Sequence, residues 1–276
     1  MNQIPKLALP PQGKKLLDQF RDQIRLKQCS PRTEKTYVHW VREYILFHNK
    51  RHPREMRVPE INQFITHLVV ERKASAATQN QAISAIFFLY RNLLNIELDE
   101  ASLDFIRPKK GKHVPTVLSK DEARAIIANL MGPYKLLVQI MYGSGLRLME
   151  CLRLRVKDID FENHRILVYD GKGGGDRVTM LPDSLIAHQR EHLRQIKALH
   201  QKDLAAGFGS VYLPFGFDKK FPVAHKQWIW QYAFPASTVS SDPDSRIRRR
   251  HHIHETALLR AIREAARLAV KSPLDP

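Results

Sequence analysis

Cysteine is scarce in this sequence, which has only two among its 276 residues. Cys29 and Cys151 are far apart and neither has a CxxC partner, which excludes a disulfide framework and a cysteine-based zinc site. Cys151 lies on an apolar helical face, where we expect it to pack in a core. Long apolar runs are also missing, and the first ten residues do not resemble a signal peptide. We therefore expect a soluble, cytoplasmic protein in a reducing environment, with no membrane partner.

Acidic residues are also few: 28 Asp and Glu face 45 Lys and Arg, which gives a formal net charge of +17 and a pI near 10.0. Such a surplus attracts polyphosphates whatever their sequence. Charge alone does not separate a DNA-binding enzyme from an RNA-binding or ribosome-associated protein. Hydrophobic residues make up 43% of the chain, enough to form a core, and the length suggests about two domains.

Residues 12–100 show the apolar periodicity of amphipathic helices. Ser30 is a good N-cap with Pro31 at the first helical position. Further helices are expected to begin near Pro59 and after Ser75. The predicted core stripes contain Phe20, Ile24, Tyr37, Trp40, Val41, Tyr44, Ile61, Phe64, Leu68, Ile83, Ile86, Tyr90 and Leu93. These residues predict a helical N-terminal domain.

A change of composition marks residues 105–118, which contain the run IRPKKGKHVPT. Two prolines, a glycine and four basic residues predict an extended, exposed linker. We place the domain boundary there, with a second domain at 119–276. Lys109, Lys110 and Lys112 are expected to lie along a nucleic-acid backbone.

The most informative run is YGSGLRLMECLRLRVKDID, from Tyr142 to Asp160. Arg147 follows a small-residue turn, and Glu150 comes three residues later within an amphipathic helical pattern. The glycines permit a tight turn, so Arg147 can lie near a helix start. Backbone amides, the helix dipole and the guanidinium could there face one phosphate. The alternative is a buried arginine that pairs with Glu150 on an ordinary helix.

The rest of the second domain predicts mainly helices with a small β-sheet. Ser119 and Glu122 form a capping box, and a helix over 133–141 leads to the arginine run. Arg165–Asp170 and Arg177–Leu181 predict a hairpin whose glycine-rich tip holds Lys172. A helix follows over 182–207, and a last helix carries Leu258, Leu259, Ile262, Ala265 and Leu268.

Between the last two helices lies an aromatic and basic segment, which includes KQWIWQYAFPASTVSSDPDSRIRRRHHIHE. His251, His252 and His254 are close together, but no carboxylate or cysteine completes a familiar metal-ligand spacing. We therefore predict no metal site and no cofactor. Stacking on bases, or contacts to phosphates, suits this basic segment better.

The order of these motifs resembles the integron integrases, a branch of the tyrosine recombinases, from about residue 16 to residue 270. The resemblance implies a core-binding (SAM-like) domain followed by an α+β catalytic domain with an insertion at about 208–255. Arg147 matches the first catalytic arginine, Glu150 its acidic neighbour and Lys172 the hairpin lysine. It also implies that side chains of the insertion hold extrahelical bases of a folded, single-stranded cassette site. Those side chains are Trp230, His251 and His252.

The resemblance implies integration and excision of gene cassettes by metal-free DNA cleavage and rejoining, at double-stranded attachment sites and folded cassette sites. The family also needs an H-x-x-R box and a nucleophilic tyrosine, which are expected after the last helix. In this sequence no tyrosine follows Tyr232, no histidine follows His254 and no arginine follows Arg267. The final run VKSPLDP resembles the family's tail, so the catalytic domain is interpreted as lacking an internal C-terminal part.

Three interpretations follow. The first is a tyrosine recombinase with an incomplete catalytic domain. The second is a non-enzymatic DNA-binding protein that occupies recombination sites, associates with itself or competes and assembles with an intact integrase. The third is an unrelated basic RNA-binding protein. We predict no strand cleavage by this chain alone, because neither Arg147 nor Lys172 can supply the oxygen that attacks the phosphate. Tyr142 and Tyr169, the phenols nearest the motifs in sequence, lie on elements that look buried and lack the second arginine and the histidine that would activate a phenol.

Overall fold

A computed structural model describes residues 14–98, 117–169, 175–213, 220–242 and 245–271. The chain divides into two compact units, Met1–Pro115 and Thr116–Pro276. Lys109, Lys110, Lys112 and Lys172 lie outside the described residues. In the part of the chain that is described, no helix is both long and apolar enough to cross a bilayer.

The first unit is helical, as predicted. Its helices are α1 (Leu16–Leu26), α2 (Pro31–Phe47), α3 (Val58–Val70) and α4 (Ala76–Phe88), and α4 runs on into a π-helical turn at Leu89–Leu94. The hydroxyl of Ser30 accepts a hydrogen bond from the Thr33 amide at 3.1 Å, with Pro31 next to it. The predicted N-cap is therefore confirmed.

The core of this unit is formed by the predicted apolar stripes. The hydroxyls of Tyr44 and Tyr90 meet at 3.1 Å inside it, and the Tyr90 hydroxyl also lies 3.0 Å from the Pro53 carbonyl oxygen. Both buried hydroxyls thus have partners, as buried polar groups require. Burial raises the pKa of both phenols.

The second unit combines helices with a small antiparallel sheet. The helices are α5 (Lys120–Ala128), α6 (Pro133–Gly143), α7 (Leu148–Leu152), α8 (Asp183–Ala205) and α9 (Glu255–Lys271). The sheet has the order β1 (Ile159–Asp160), β2 (Arg165–Val168) and β3 (Arg177–Met180). The predicted hairpin is confirmed with shorter strands, and β1 was not predicted because two residues carry no periodicity.

The register of the hairpin decides which side chains share a face. Val168 lies opposite Arg177 and Ile166 lies opposite Thr179. Ile166 and Val168 are buried, whereas Val178 and Met180 on the other face of β3 are exposed. Arg177 and Thr179 therefore point toward the body of the unit.

The aromatic segment packs on the second unit through short turns, at Ala224–Lys226 and Trp228–Trp230. The Ala233 amide donates to the Leu154 carbonyl at 2.7 Å, and the Val156 amide donates to the Gln231 carbonyl at 3.0 Å. A small two-stranded sheet follows, formed by β4 (Ser240–Ser241) and β5 (Arg248–Arg249). Backbone hydrogen bonds thus attach the segment to the residues that directly follow α7 in the chain.

Helix α9 buries only part of its predicted apolar stripe. Leu258 and Ala265 are buried in the core of the second unit, and Ile262 packs against that core. Leu259 and Leu268 are instead more than a third exposed. The apolar stripe of α9 is therefore wider than the surface of the second unit that packs against it.

Candidate functional site

Arg147 is the N-cap residue of α7, as predicted. Helix α6 ends at Gly143, and Gly145 adopts a positive φ of 61°, a conformation that glycine accepts without strain. Arg147 then takes extended angles, and its amide donates to Glu150 Oε2 at 2.9 Å. Because α7 has only five residues, the guanidinium carries more charge here than the helix dipole does.

The carboxylate of Glu150 joins two guanidinium groups. Arg147 Nη1 donates to Oε1 at 2.6 Å, and Arg177 Nη2 donates to Oε2 at 2.6 Å. The Arg147 side chain is 57% exposed, whereas the Glu150 side chain is 9% exposed. The alternative of a buried arginine is therefore wrong. Arg147 does pair with Glu150, but Glu150 is the buried partner and Arg147 is exposed.

The charge on Glu150 is stabilised locally. Burial alone would raise the pKa of this carboxyl, but the Arg147 amide and the two guanidiniums outweigh burial and hold the pKa below its ordinary value. Two cations and one anion leave a net positive charge, with Arg147 facing solvent. This cluster can bind an oxyanion such as a phosphate through the fork of Arg147.

Strand β3 holds the turn that carries Arg147. Thr179 Oγ1 donates to the Ser144 carbonyl at 2.7 Å, and Arg177 Nη2 lies 3.4 Å from the Gly145 carbonyl oxygen. The hairpin whose sequence contains Lys172 is thus attached to the turn at residues 144–147, which we call the arginine turn. The role of Lys172 itself stays a prediction, because the residue lies outside the described ranges.

The two tryptophans of the aromatic segment have different surroundings. Trp228 packs against the main core of the second unit, with its ring 6.1 Å from that of His200. Trp230 is half-buried and packs against a small cluster that contains Val211, Leu213 and Tyr232. Trp228 thus packs against the larger of these two clusters and Trp230 against the smaller one.

Cations lie against the ring of Trp230. Lys157 Nζ is 4.8 Å from its centroid and Arg155 Cζ is 5.9 Å away, within the range of cation–π attraction. These contacts extend into a row of alternating rings and cations, which we call the cation–π stack. Its members are Tyr169, Lys157, Trp230, Arg155 and Tyr232.

Arg155 fastens the aromatic segment from inside this stack. Its Nη1 donates to the Trp230 carbonyl at 2.5 Å and its Nη2 to the Tyr212 carbonyl at 2.8 Å. Its guanidinium lies 4.8 Å from the Tyr232 centroid. Neither Arg155 nor Arg177 stands out in the sequence, because their partners are distant along the chain.

His251 and His252 are half-buried rather than fully presented to solvent. His252 Nδ1 lies 2.7 Å from the Ile253 carbonyl oxygen, and its ring meets Tyr232 edge-on at 5.3 Å. The Nε2 atom of His251 is buried without a hydrogen-bond partner among the described residues. Burial lowers the pKa of both rings. Their contact with bases stays a prediction.

The predicted burial of the two nearby phenols is wrong. Tyr142 is 62% exposed and Tyr169 is 51% exposed. Tyr142 lies in the last turn of α6, on the face away from the core. Tyr169 directly follows β2 and lies over Lys157, whose Nζ is 4.1 Å from the ring centroid. Burial therefore does not argue against either hydroxyl as a nucleophile. No group of three or more metal-ligating side chains occurs within the described ranges.

Comparison with known proteins identifies the class. Residues 16–100 match the family described as "Phage integrase, N-terminal SAM-like domain", and residues 116–215 match the "Phage integrase family". The predicted fold class is confirmed: a helical SAM-like domain precedes a tyrosine recombinase catalytic domain. The chain belongs to the tyrosine recombinase family, which carries out site-specific DNA recombination.

Two relatives are proteins named "Integrase/recombinase" from Escherichia coli and Pseudomonas aeruginosa. Each is 41% identical over 270 residues, which cover 97% of this chain and 80% of the relative. Among solved structures, the XerH site-specific recombinase bound to its difH substrate is similar at 20% identity. That match covers 66% of this chain and 57% of XerH, with a TM-score of 0.47.

Proposed function

We propose that this chain binds a DNA recombination site and holds one backbone phosphate with Arg147. The observation that carries the proposal is the exposed guanidinium of Arg147, fixed at a helix start by a buried carboxylate that also binds Arg177. A fixed guanidinium suits a phosphate because its fork matches two phosphate oxygens. In this family such a contact stabilises the charge that develops during strand cleavage.

The proposed roles of the other predicted residues follow from the resemblance to integron integrases. Lys172 would donate a proton to the departing 5′-oxygen. Lys109, Lys110 and Lys112 would contact the backbone of a double-stranded attachment site. The net charge of +17 supports binding of this kind.

A salt titration tests DNA binding. If several phosphates are contacted, raising the salt from about 50 to about 200 mM should weaken binding by orders of magnitude. Arg147→Ala should reduce the slope of that titration by about one phosphate contact. A flat titration for the wild-type chain would contradict the proposed function.

The integron subtype is the finer part of the proposal. Trp230, His251 and His252 would contact extrahelical bases of a folded, single-stranded cassette site. The half-exposed ring of Trp230 beside Lys157 supports this role, since aromatic rings and cations together are typical of single-stranded nucleic-acid binding.

A second candidate function is DNA binding without cleavage. We propose as this alternative that the chain occupies recombination sites without cleaving them, or joins an intact integrase or a second copy on them. A nicked suicide substrate separates the two functions, because a competent enzyme becomes covalently attached to the DNA. If an adduct forms, loss of that adduct in Tyr142→Phe or Tyr169→Phe would identify the nucleophile.

A further inference from the structure

The carboxylate of Glu150 accepts hydrogen bonds from both Arg147 and Arg177, and the second arginine affects how well Arg147 can bind a phosphate. Oε1 accepts from Arg147 Nη1 at 2.6 Å, while Oε2 accepts from the Arg147 amide at 2.9 Å and from Arg177 Nη2 at 2.6 Å. The Glu150 side chain is 9% exposed. Both oxygens are therefore engaged by protein donors.

The charges show what Arg177 adds. A pair formed by Arg147 and Glu150 alone would be neutral, and a neutral pair attracts a phosphate only weakly. Arg177 supplies a second positive charge to the same carboxylate, so the three groups together carry a net charge of +1. The guanidinium of Arg147, which is 57% exposed, is the one placed to offer that charge to solvent.

Arg177 also holds the backbone beneath Arg147. Its Nη2 lies 3.4 Å from the Gly145 carbonyl oxygen, and Thr179, on the same face of β3, donates to the Ser144 carbonyl. The turn from Ser144 to Arg147 is thus fastened to β3 by side chains two residues apart. Both contacts act on the segment whose conformation aims Arg147.

We propose that Arg177 is a positioning residue, which keeps the charge of Arg147 available for one DNA phosphate by balancing Glu150 and fastening the arginine turn. This inference rests on the proposed binding of DNA by Arg147. It assigns to the hairpin strand a part in phosphate binding that is separate from any role of Lys172.

The test measures the contribution of single phosphates to binding. A duplex that the full chain selects from a random-sequence pool is prepared with one neutral methylphosphonate at each backbone position in turn. The phosphate held by Arg147 is the one whose neutralisation weakens wild-type binding but leaves Arg147→Ala binding unchanged. Wild-type binding should weaken roughly 10-fold at that position, as expected for a hydrogen bond to a charged group.

Arg177→Ala should reduce the penalty at that phosphate to about 2-fold or less, because Glu150 then neutralises Arg147. Arg177→Lys, which retains the charge, should restore part of the penalty. Arg165→Ala is the matched control: this arginine of the neighbouring strand pairs with Asp160 instead and should leave the penalty unchanged. If Arg177→Ala does not fold, Arg177→Gln replaces it.

The outcomes distinguish the two proposals. If no phosphate responds to Arg147→Ala, the proposed function fails, irrespective of Arg177. If that phosphate is found but keeps its full penalty in Arg177→Ala, the positioning role is refuted. A uniform loss of affinity at all positions, with the penalty retained, would also refute it, because it would show a structural role alone.

Discussion

Arg155→Ala should release the aromatic segment from the rest of the second unit. The side chain of Arg155 is buried, at 9% residue exposure, and donates to the carbonyl oxygens of Trp230 and Tyr212. Each hydrogen bond from a charged donor contributes about 1.5–3 kcal/mol. The contact with the Tyr232 ring at 4.8 Å adds about 0.5–2 kcal/mol.

These contributions do not simply add, because removing Arg155 also relieves the cost of burying its charge. A net loss of about 3 kcal/mol is therefore expected, within the range for breaking a buried polar network. The loss should be local, since the partners of Arg155 are backbone groups of the segment. About 3 kcal/mol corresponds to a more than 100-fold increase in local opening.

Hydrogen exchange measures that opening directly. The Ala233 amide, which bonds to the Leu154 carbonyl, should exchange more than 100-fold faster in Arg155→Ala, whereas the Leu68 amide within α3 of the first unit should keep its rate. Arg165→Ala is the matched control, because it removes a solvent-screened ion pair with Asp160 and should leave the exchange rate of the Ala233 amide unchanged. Unchanged protection of Ala233 in Arg155→Ala would refute the reasoning.

Stability should fall as the pH drops from about 7 to about 5, because burial lowers the pKa of several histidines and the unfolded chain, whose histidines titrate near 6.5, then binds more protons than the folded chain. The histidines are His192, His200, His251 and His252. An unfolding midpoint that did not fall over this interval, at constant salt, would contradict this. Ser30→Ala should lower the free energy of unfolding of the first unit by about 1 kcal/mol, measured by urea denaturation, since it removes an N-cap. Ser84→Ala, within α4, should have little effect or should stabilise. A thiol reagent should label Cys29 well before Cys151, because burial raises the pKa of the Cys151 thiol to about 12; equal labelling rates in mass spectrometry would show that the core opens.

Local signals in the sequence were sufficient to predict those features whose interacting residues are close together along the chain. The N-cap at Ser30 and the capping box at Ser119 depend on residues three positions away, and the glycine turn before Arg147 depends on its immediate neighbours. These features are present in the structure where they were predicted. Short-range rules apply because the donors and acceptors of a helix start lie within one turn.

Long-range contacts could not be predicted in the same way. Arg155 and the Trp230 carbonyl are 75 residues apart, and Arg177 and Glu150 are 27 apart. The alternation of side chains along β3 predicts that Arg177 and Thr179 share one face. It does not predict that this face lies against the arginine turn. The exposure of Tyr142 was missed because an apolar run in α6 conceals which face of the helix has no neighbour.

The base-reading role of Trp230 leads to a prediction that must separate the ring from its neighbours. Trp230→Ala should weaken binding to a DNA hairpin with extrahelical bases more than binding to a plain duplex, by about 1–3 kcal/mol for each stacked base. The substitution also removes the ring that Lys157 contacts at 4.8 Å, so a loss of local order could imitate it.

Lys157→Met is the comparison variant, because it keeps the ring and removes the cation, together with the ion pair of that cation to Asp158 at 2.8 Å. If bases stack on Trp230, Lys157→Met should weaken both DNA forms by a similar factor and preserve the preference for the hairpin, since a cation acts on phosphates whatever their sequence. Trp228→Ala should destabilise the second unit, because that ring packs against its main core, without changing the preference per folded molecule. Equal losses for hairpin and duplex in Trp230→Ala would show that this tryptophan only holds the segment together. A preference lost equally in Lys157→Met would assign the selectivity to the cation rather than to the ring.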